Sequence, residues 1–311
     1  MKGIISKTHL LFWLIALALA PQLPEAGAAC PEKEVLIVVS NHFGPYITAS
    51  NALEKELETN CPRLLVKKIF LDQDKTIARR FKKQSIALIL PVGTEAAMVV
   101  HRLFPGIPAV FSMVLDPSPV LTNDPNDFGV VLDIPYKQVV KRLCMLAPYI
   151  STIGILYTNE SESMVHRITD ELSDTRLQVV KIKLKSTEHL EERLDEVLRL
   201  ADALVAIPDM NIYNSIVAPR IIFEAIRHKK PFVGLSKNFT LSGALFSLDC
   251  DYKDIGMQAA EMGLDILAGH IPDTRIRYPR KFTAYLNLYT ARLIGLSPNS
   301  KVLEAFKVVV Y

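Results

Sequence analysis

Residues 150–157 read Ile-Ser-Thr-Ile-Gly-Ile-Leu-Tyr, residues 203–207 Ala-Leu-Val-Ala-Ile, and residues 231–235 Pro-Phe-Val-Gly-Leu. Each run is short and apolar, and each empties into polar residues. The first ends in Thr158-Asn159-Glu160-Ser161, the second in Pro208-Asp209-Met210-Asn211, and the third in Ser236-Lys237-Asn238-Phe239. Helix-period segments at 163–172, 187–200 and 215–228 separate or follow them. Short apolar strands alternating with amphipathic helices predict a parallel sheet covered on both faces. The polar residues after each strand then lie at the carboxyl edge, where open α/β sheets hold their ligands.

The same alternation extends outward in both directions. Residues 35–39 (Val-Leu-Ile-Val-Val), 64–70, 86–90 and 108–113 read as strands, with helices at 47–57 and from Thr94 through 103. Asp72-Gln73-Asp74 can cap a short helix through 81, because carboxylate oxygens accept the free amides of a first turn. Between 115 and 127 the composition turns to Pro, Asn and Asp, which predicts loop near a domain boundary. Residues 128–132 are apolar again, and 134–146 read as a helix. A strand is expected at 177–184 and another at 244–248, a helix at 254–267, then a segment at 280–286 and a short helix at 288–294. Two layered α/β domains fit this pattern.

The chain has 311 residues, half of them hydrophobic, and a net charge of +3. That is enough to bury a sizeable core in each of two domains. The basic excess is small and scattered, so nucleic acid is not an expected partner. Residues 1–29 read as a signal peptide: Lys2 and Lys7, an apolar run at 10–20, then Ala26-Gly27-Ala28 as a cleavage pattern. The run is too short to span a bilayer, which needs roughly 20 apolar residues. A periplasmic or other extracytoplasmic location follows, with lipid attachment at Cys30 as a lesser alternative.

Export permits disulfides. Cys30 and Cys61 each precede a strand expected in the first sheet, so a Cys30–Cys61 bridge is the pairing to test. Cys144 falls in a helical pattern and reads as a small buried hydrophobe. No cysteine pair has the spacing of a redox or zinc site.

Candidate ligand contacts are the polar residues at strand ends: Asn41, Gly93 with Thr94, Thr158 with Asn159, Asp209 with Asn211, and Asp251 with Tyr252. Donors and acceptors of this kind orient a small polar ligand, and Asp209 is placed to receive an ammonium group. Helix caps and turns use the same residue types. Phe43 and Tyr46 flank Gly44-Pro45, read as a turn, and offer aromatic faces to a ligand. No GxSxG, HExxH or P-loop signature is present. No residue set supplies nucleophile, base and oxyanion support, so the chain reads as a binder that needs no cofactor or metal.

These residues resemble the TrpX-like family of ABC transporter substrate-binding proteins. The likeness is carried by Ile153–Asn159 (IGILYTN, against the family's IGVLYNP) and Ala203–Asn211 (ALVAIPDMN, against DAIYVPPDN). It continues through Gly243-Ala244-Leu245, Asp251-Tyr252 with Gly256, and Leu286-Asn287-Leu288 followed by Ala291 and Gly295. Two departures are plain: Ser118–Asp127 replaces a glycine-rich continuation after Asp116-Pro117, and Glu160 stands where the family often has proline. The resemblance implies a type I periplasmic-binding-protein fold, with two Rossmann-like lobes joined by three crossings near 115–134, 241–251 and 275–282. It implies residues 30–132 and 250–274 in one lobe and 133–249 and 275–311 in the other. A monomer that closes on a small polar or amino-acid-like ligand and delivers it to an ABC permease is the function implied. The alternative is a sensor that uses the same closure to signal to a membrane histidine kinase or chemoreceptor.

Overall fold

A computed structural model describes residues 33–73, 85–117, 120–121, 127–185 and 189–311. The expected signal peptide, the short helix at 72–81 and the Cys30 end of the expected disulfide lie wholly or largely outside them. Cys61 is disulfide-bonded, and Cys144 and Cys250 carry free thiols. Among the described residues no helix is long and apolar enough to cross a membrane.

The first sheet begins with β1 (Glu34–Val39), followed by α1 (Gly44–Asn60), β2 (Leu65–Phe70), β3 (Ile86–Val92), α2 (Thr94–Leu103), β4 (Ala109–Val114) and β5 (Asp127–Val131). The second sheet carries β6 (Thr152–Tyr157), β7 (Gln178–Lys183), β8 (Ala203–Val205), β9 (Phe232–Gly234) and β10 (Phe246–Cys250). Its helices are α3 (Tyr136–Leu146), α4 (Glu162–Leu172), α5 (Leu190–Leu200), α6 (Ala218–Arg227) and α7 (Lys237–Leu241). The chain then returns to the first sheet through α8 (Tyr252–Leu267) and β11 (Ile276–Arg277), and ends on the second as β12 (Phe282–Asn287), α9 (Leu288–Leu293), α10 (Ser300–Leu303) and β13 (Lys307–Val310).

The first sheet has the order β11-β5-β4-β3-β1-β2, and every neighbouring pair in it is parallel. The central strand shows why β1 reads as unbroken hydrophobicity. Val35, Ile37 and Val39 face α1 and α8 through Ala49, Leu53, Leu57, Ile255 and Ala259, while Leu36 and Val38 face α2 through Ala96 and Val100. Burial on both faces leaves no solvent side to mark with polar residues. Helices α1 and α8 approach so closely that a Cβ at Gly256 would sit 2.1 Å from the Ala49 carbonyl oxygen. Any side chain there would push the helices apart.

The second sheet has the order β13-β12-β10-β9-β8-β6-β7. It is parallel from β7 to β10, and β12 pairs antiparallel with β10, with Cys250 opposite Phe282. The hinge imposes this reversal: β10 leaves toward the first lobe where β12 arrives from it, so the two strands run in opposite directions. Three crossings therefore lie at 132–135, around Asp251, and at 278–281.

Two expectations differ from what is found. Gly44-Pro45 opens α1 instead of forming a free turn, because proline already has helical φ and loses no hydrogen bond in a first turn. Residues 276–277 pair with Gly129 and Val130 of the first sheet, so the chain leaves that lobe later than the expected boundary at 275. The two-residue strand is too short to show a period in sequence.

Candidate functional site

A cleft of ≈ 580 Å³ opens between the two sheets, lined by residues of both lobes and of the first two crossings. Its first wall comes from strand ends of the first sheet: Phe43 and Tyr46 after β1, Thr94 after β3, and Met113 and Leu115 at the end of β4. Its second wall comes from Val205 at the end of β8 with Ala206, Pro208 and Met210 after it, and from Val233 and Gly234 at the end of β9 with Leu235 and Ser236 after it. The floor is the hinge, built from Leu132, Asp133, Ile134 and Tyr136 on one side and Leu248, Asp249, Cys250 and Tyr252 on the other.

The first wall is fixed by packing around one glycine. Gly93 has φ +96, and a Cβ there would lie 2.5 Å from Ser40 Oγ and 3.0 Å from Tyr46 Cζ. Only glycine fits that backbone and that space. Buried Ser40 in turn accepts the Ala96 amide at 2.9 Å, tying the first turn of α2 to the end of β1. Thr94 and the positive end of the α2 dipole thus face the cleft. Beside them the Phe43 and Tyr46 rings meet edge to face at 5.6 Å. Burial and the nearby Glu95 carboxylate push the Tyr46 phenol up. Met113 holds a left-handed backbone, φ 57, where the β4–β5 pairing slips by a residue, and that slip turns its side chain into the cleft lining.

The hinge carries the site's charge. Asp133 is 7% exposed, and its Oδ2 accepts from Arg167 Nη2 at 2.9 Å. Burial pushes its carboxyl up to about 6, against the pull of Arg167 and with a further push from Glu171 and Asp116. Asp249 accepts from the Tyr252 hydroxyl at 2.9 Å and from the Lys237 backbone amide at 3.3 Å. Burial and Asp249 raise the Tyr252 phenol. Between the two acids, the Cys250 thiol is pushed up to about 12 by burial and by Asp249, Asp133 and Asp251.

Of the residues singled out in sequence, Phe43, Tyr46, Thr94 and Tyr252 line the cleft, with Gly93 directly behind them. The others are placed elsewhere. Asn41 accepts the Phe43 amide at 2.9 Å and shapes the entry to α1. Asp251 caps α8 by accepting the Asp254 amide at 3.1 Å. Asp209, 3% exposed, is a structural knot. Its Oδ2 accepts from the Thr158 amide at 2.9 Å, the Thr158 hydroxyl at 2.8 Å and the Ser161 hydroxyl at 2.5 Å, and its Oδ1 accepts from the Asn211 amide at 3.0 Å. Thr158 and Asn159 follow β6, which sits one strand further from the crossings than β8. Their loop is therefore held to the β8 loop instead of reaching the cleft. Four donors already occupy this carboxylate, so the geometry gives the expected ammonium role of Asp209 no support.

Sequence reading passes over Asp133, Asp249, Cys250, Met113 and Tyr136. One signal is available: Asp249-Cys250-Asp251 puts two carboxylates at the end of an apolar strand. Among the described residues, no group of histidines, cysteines and carboxylates could hold a metal ion.

The profile of a family described as ABC transporter substrate binding protein matches residues 71–309. A tyrosine-binding protein of Clostridioides difficile is 24% identical over 203 residues, 62% of this chain and 58% of that protein. The chain thus spans less than two thirds of that relative. Among solved structures, a ligand-free, open substrate-binding protein with adhesive properties from Clostridium difficile superposes with TM-score 0.74 at 19% identity, covering 89% of this chain and 99% of that one. A domain from Streptococcus pneumonia in complex with L-Trp superposes with TM-score 0.61 at 19% identity, over 89% and 99% of the two chains. These likenesses establish a shared fold.

Proposed function

The chain belongs to the ABC transporter substrate-binding protein family, and from that premise we propose that it is an exported binding protein whose lobes close on an amino-acid-like ligand and deliver it to an ABC permease. The observation that carries this reading is the cleft itself: a mostly apolar cavity shared by two lobes, with a few polar groups, Thr94 and Ser236 on its walls and Asp133 and Asp249 at its floor. Concave, mostly apolar sites with a few convergent polar groups are the usual form of small-molecule sites. Thr94 and the α2 amino terminus suit a carboxylate, because the free amides and the helix dipole both favour negative charge. Met113, Leu115, Leu132 and Ile134 suit an apolar or aromatic body. The tyrosine-binding relative and the neighbour bound to L-Trp support an aromatic amino acid as the first candidate.

Closure follows from the crossings. A ligand that touches both walls stabilises the state in which they are close, and shifts the population toward it. Among the described residues the cleft's one thiol, Cys250, is held protonated by burial and its acidic neighbours, and the family is one of binders, so the bound molecule is expected to leave unchanged.

A thermal-shift screen of the chain from Cys30 onward tests this, with L-tyrosine, L-tryptophan, L-phenylalanine, nucleosides and small organic acids as probes. A ligand that binds only the folded form at a hundred times its Kd adds about 2.7 kcal/mol of stability. An aromatic amino acid is expected to give the largest shift. A screen in which nucleosides shift the melting temperature and amino acids do not would overturn the ligand class.

A further inference from the structure

We propose that Asp133 and Asp249 form a seat for an ammonium group at the hinge, which makes primary amines the substrate class of the cleft. The inference rests on the solute-binding reading above and specifies its ligand chemistry.

The charge around the cleft carries it. Among the described residues, the lining holds two aspartates and no lysine, arginine or histidine. Asp133 has one cationic partner, Arg167, at 2.9 Å. Among the described residues, the donors to Asp249 are neutral, the Tyr252 hydroxyl and the Lys237 amide. Two carboxylates against one guanidinium leave one negative charge for a monocation to balance. In an apolar cleft that charge is costly unless it is paired. The two acids come from different crossings, yet both act on the Cys250 thiol between them. A cation bound there would join the 132–135 crossing to the β10 crossing, the two strands about which the lobes turn. A saturated carboxylate such as Asp209 has no such capacity.

The seat is also sensitive to protons. The groups that act on Asp133 are Arg167 and Glu171 from α4, Asp116 from the segment after β4, Tyr136 from α3, and Cys250 from β10. Their balance, with burial the largest contribution, leaves the Asp133 carboxyl at about 6. Above that pH the seat is charged and accepts an ammonium ion. Below it the proton occupies the place of the ligand. Affinity is therefore expected to fall about tenfold between pH 7.5 and pH 5.

Three probes separate the elements of the ligand: L-tyrosine, tyramine, which keeps the amine and lacks the carboxylate, and 3-(4-hydroxyphenyl)propionate, which keeps the carboxylate and lacks the amine. Calorimetric titration of the full mature chain at pH 7.5 and pH 5 is the measurement. L-tyrosine and tyramine are expected to bind, and the propionate is expected to bind at least tenfold more weakly than L-tyrosine. Asp133→Asn and Asp249→Asn are each expected to cost at least tenfold in L-tyrosine affinity, and Asp133→Asn to remove the pH dependence. The comparison of probes needs no variant, so a misfolded variant leaves the test intact. Equal binding of the propionate and L-tyrosine overturns the seat, as does an unchanged pH profile in Asp133→Asn. Should all three probes fail while another compound in the screen binds, the amino-acid reading falls. The seat then survives only if that compound carries an amine and weakens in Asp133→Asn.

Discussion

Asp209 and Asp133 are both buried aspartates just past strand ends, Asp209 after β8 of the second sheet and Asp133 after β5 in the first crossing, and they are used in opposite ways. Asp209 receives four hydrogen bonds from Thr158, Ser161 and Asn211, and it locks the β6 loop to the β8 loop. Asp133 receives the Arg167 guanidinium and the neighbouring Ile134 amide, two donors against four, and looks into a cleft. A carboxylate whose lone pairs are filled by fixed donors is part of the scaffold. One left short of donors beside a cavity has capacity for a ligand. The difference lies in the neighbours, because the residue type is the same.

The largest effect expected from this contrast is at Asp209. Asp209→Ala removes a buried charged acceptor, takes the acceptor from the Asn211 amide and leaves the Thr158 amide only its longer bond to Ser161 Oγ at 3.2 Å. Breaking such a network costs about 3–5 kcal/mol, a drop in melting temperature on the order of 10 °C for a chain of this size. Ligand affinity of the folded fraction should stay within about twofold, since the carboxylate does not line the cleft. A variant that melts normally and loses its ligand would reverse the two assignments.

A smaller effect is expected on the opposite wall, where backbone fit replaces hydrogen bonding. Gly93→Ala forces a side chain into the +96° φ region and against Ser40 Oγ. Strain of this kind costs about 1–3 kcal/mol. Relief would come from movement of Ser40 and Tyr46, so Thr94 and the α2 amino terminus should shift with them. The expected result is a modest loss of stability together with a loss of affinity, in contrast to Asp209→Ala. Thermal unfolding and titration on the same sample distinguish the two patterns.

The contrast also explains which parts of the molecule are legible in sequence. The layered α/β fold can be read because strands buried on both faces, such as 35–39, and amphipathic helices between them leave unmistakable periods. The cleft is half legible. Phe43, Tyr46, Thr94 and Tyr252 stand next to strand ends and can be found there. Thr158, Asn159 and Asp209 stand next to strand ends too, yet they serve the scaffold, because β6 lies farther from the crossings than β8 and β10. Strand order in a sheet is set by tertiary packing and leaves no local pattern. Asp133 is hidden for a related reason: it sits at the entry to α3, where an acidic residue is unremarkable, and only burial in the hinge gives it meaning. The short β11 and the reversal of β12 escape because both arise from the path of the chain between lobes.

The smallest effect, and the sharpest for the comparison, is the stability of the unliganded protein as a function of pH. Folding raises the Asp133 carboxyl from its ordinary 3.8 to about 6. The folded state therefore binds this proton more tightly than the unfolded state. The stabilisation it brings is complete below about pH 4 and is lost as pH rises through about 6. The amide that Asp133→Asn introduces does not titrate, so variant and parent should be similar near pH 4. By pH 7.5 the variant should be the more stable by about 1–3 kcal/mol. Arg167, a third exposed at its side chain, keeps its contact with water when the partner charge is removed. A binding group that costs stability in the empty protein is the signature of a site held ready for its ligand. If Asp133→Asn instead lowers the melting temperature at pH 7.5, Asp133 is a second structural ion pair, and the distinction from Asp209 disappears.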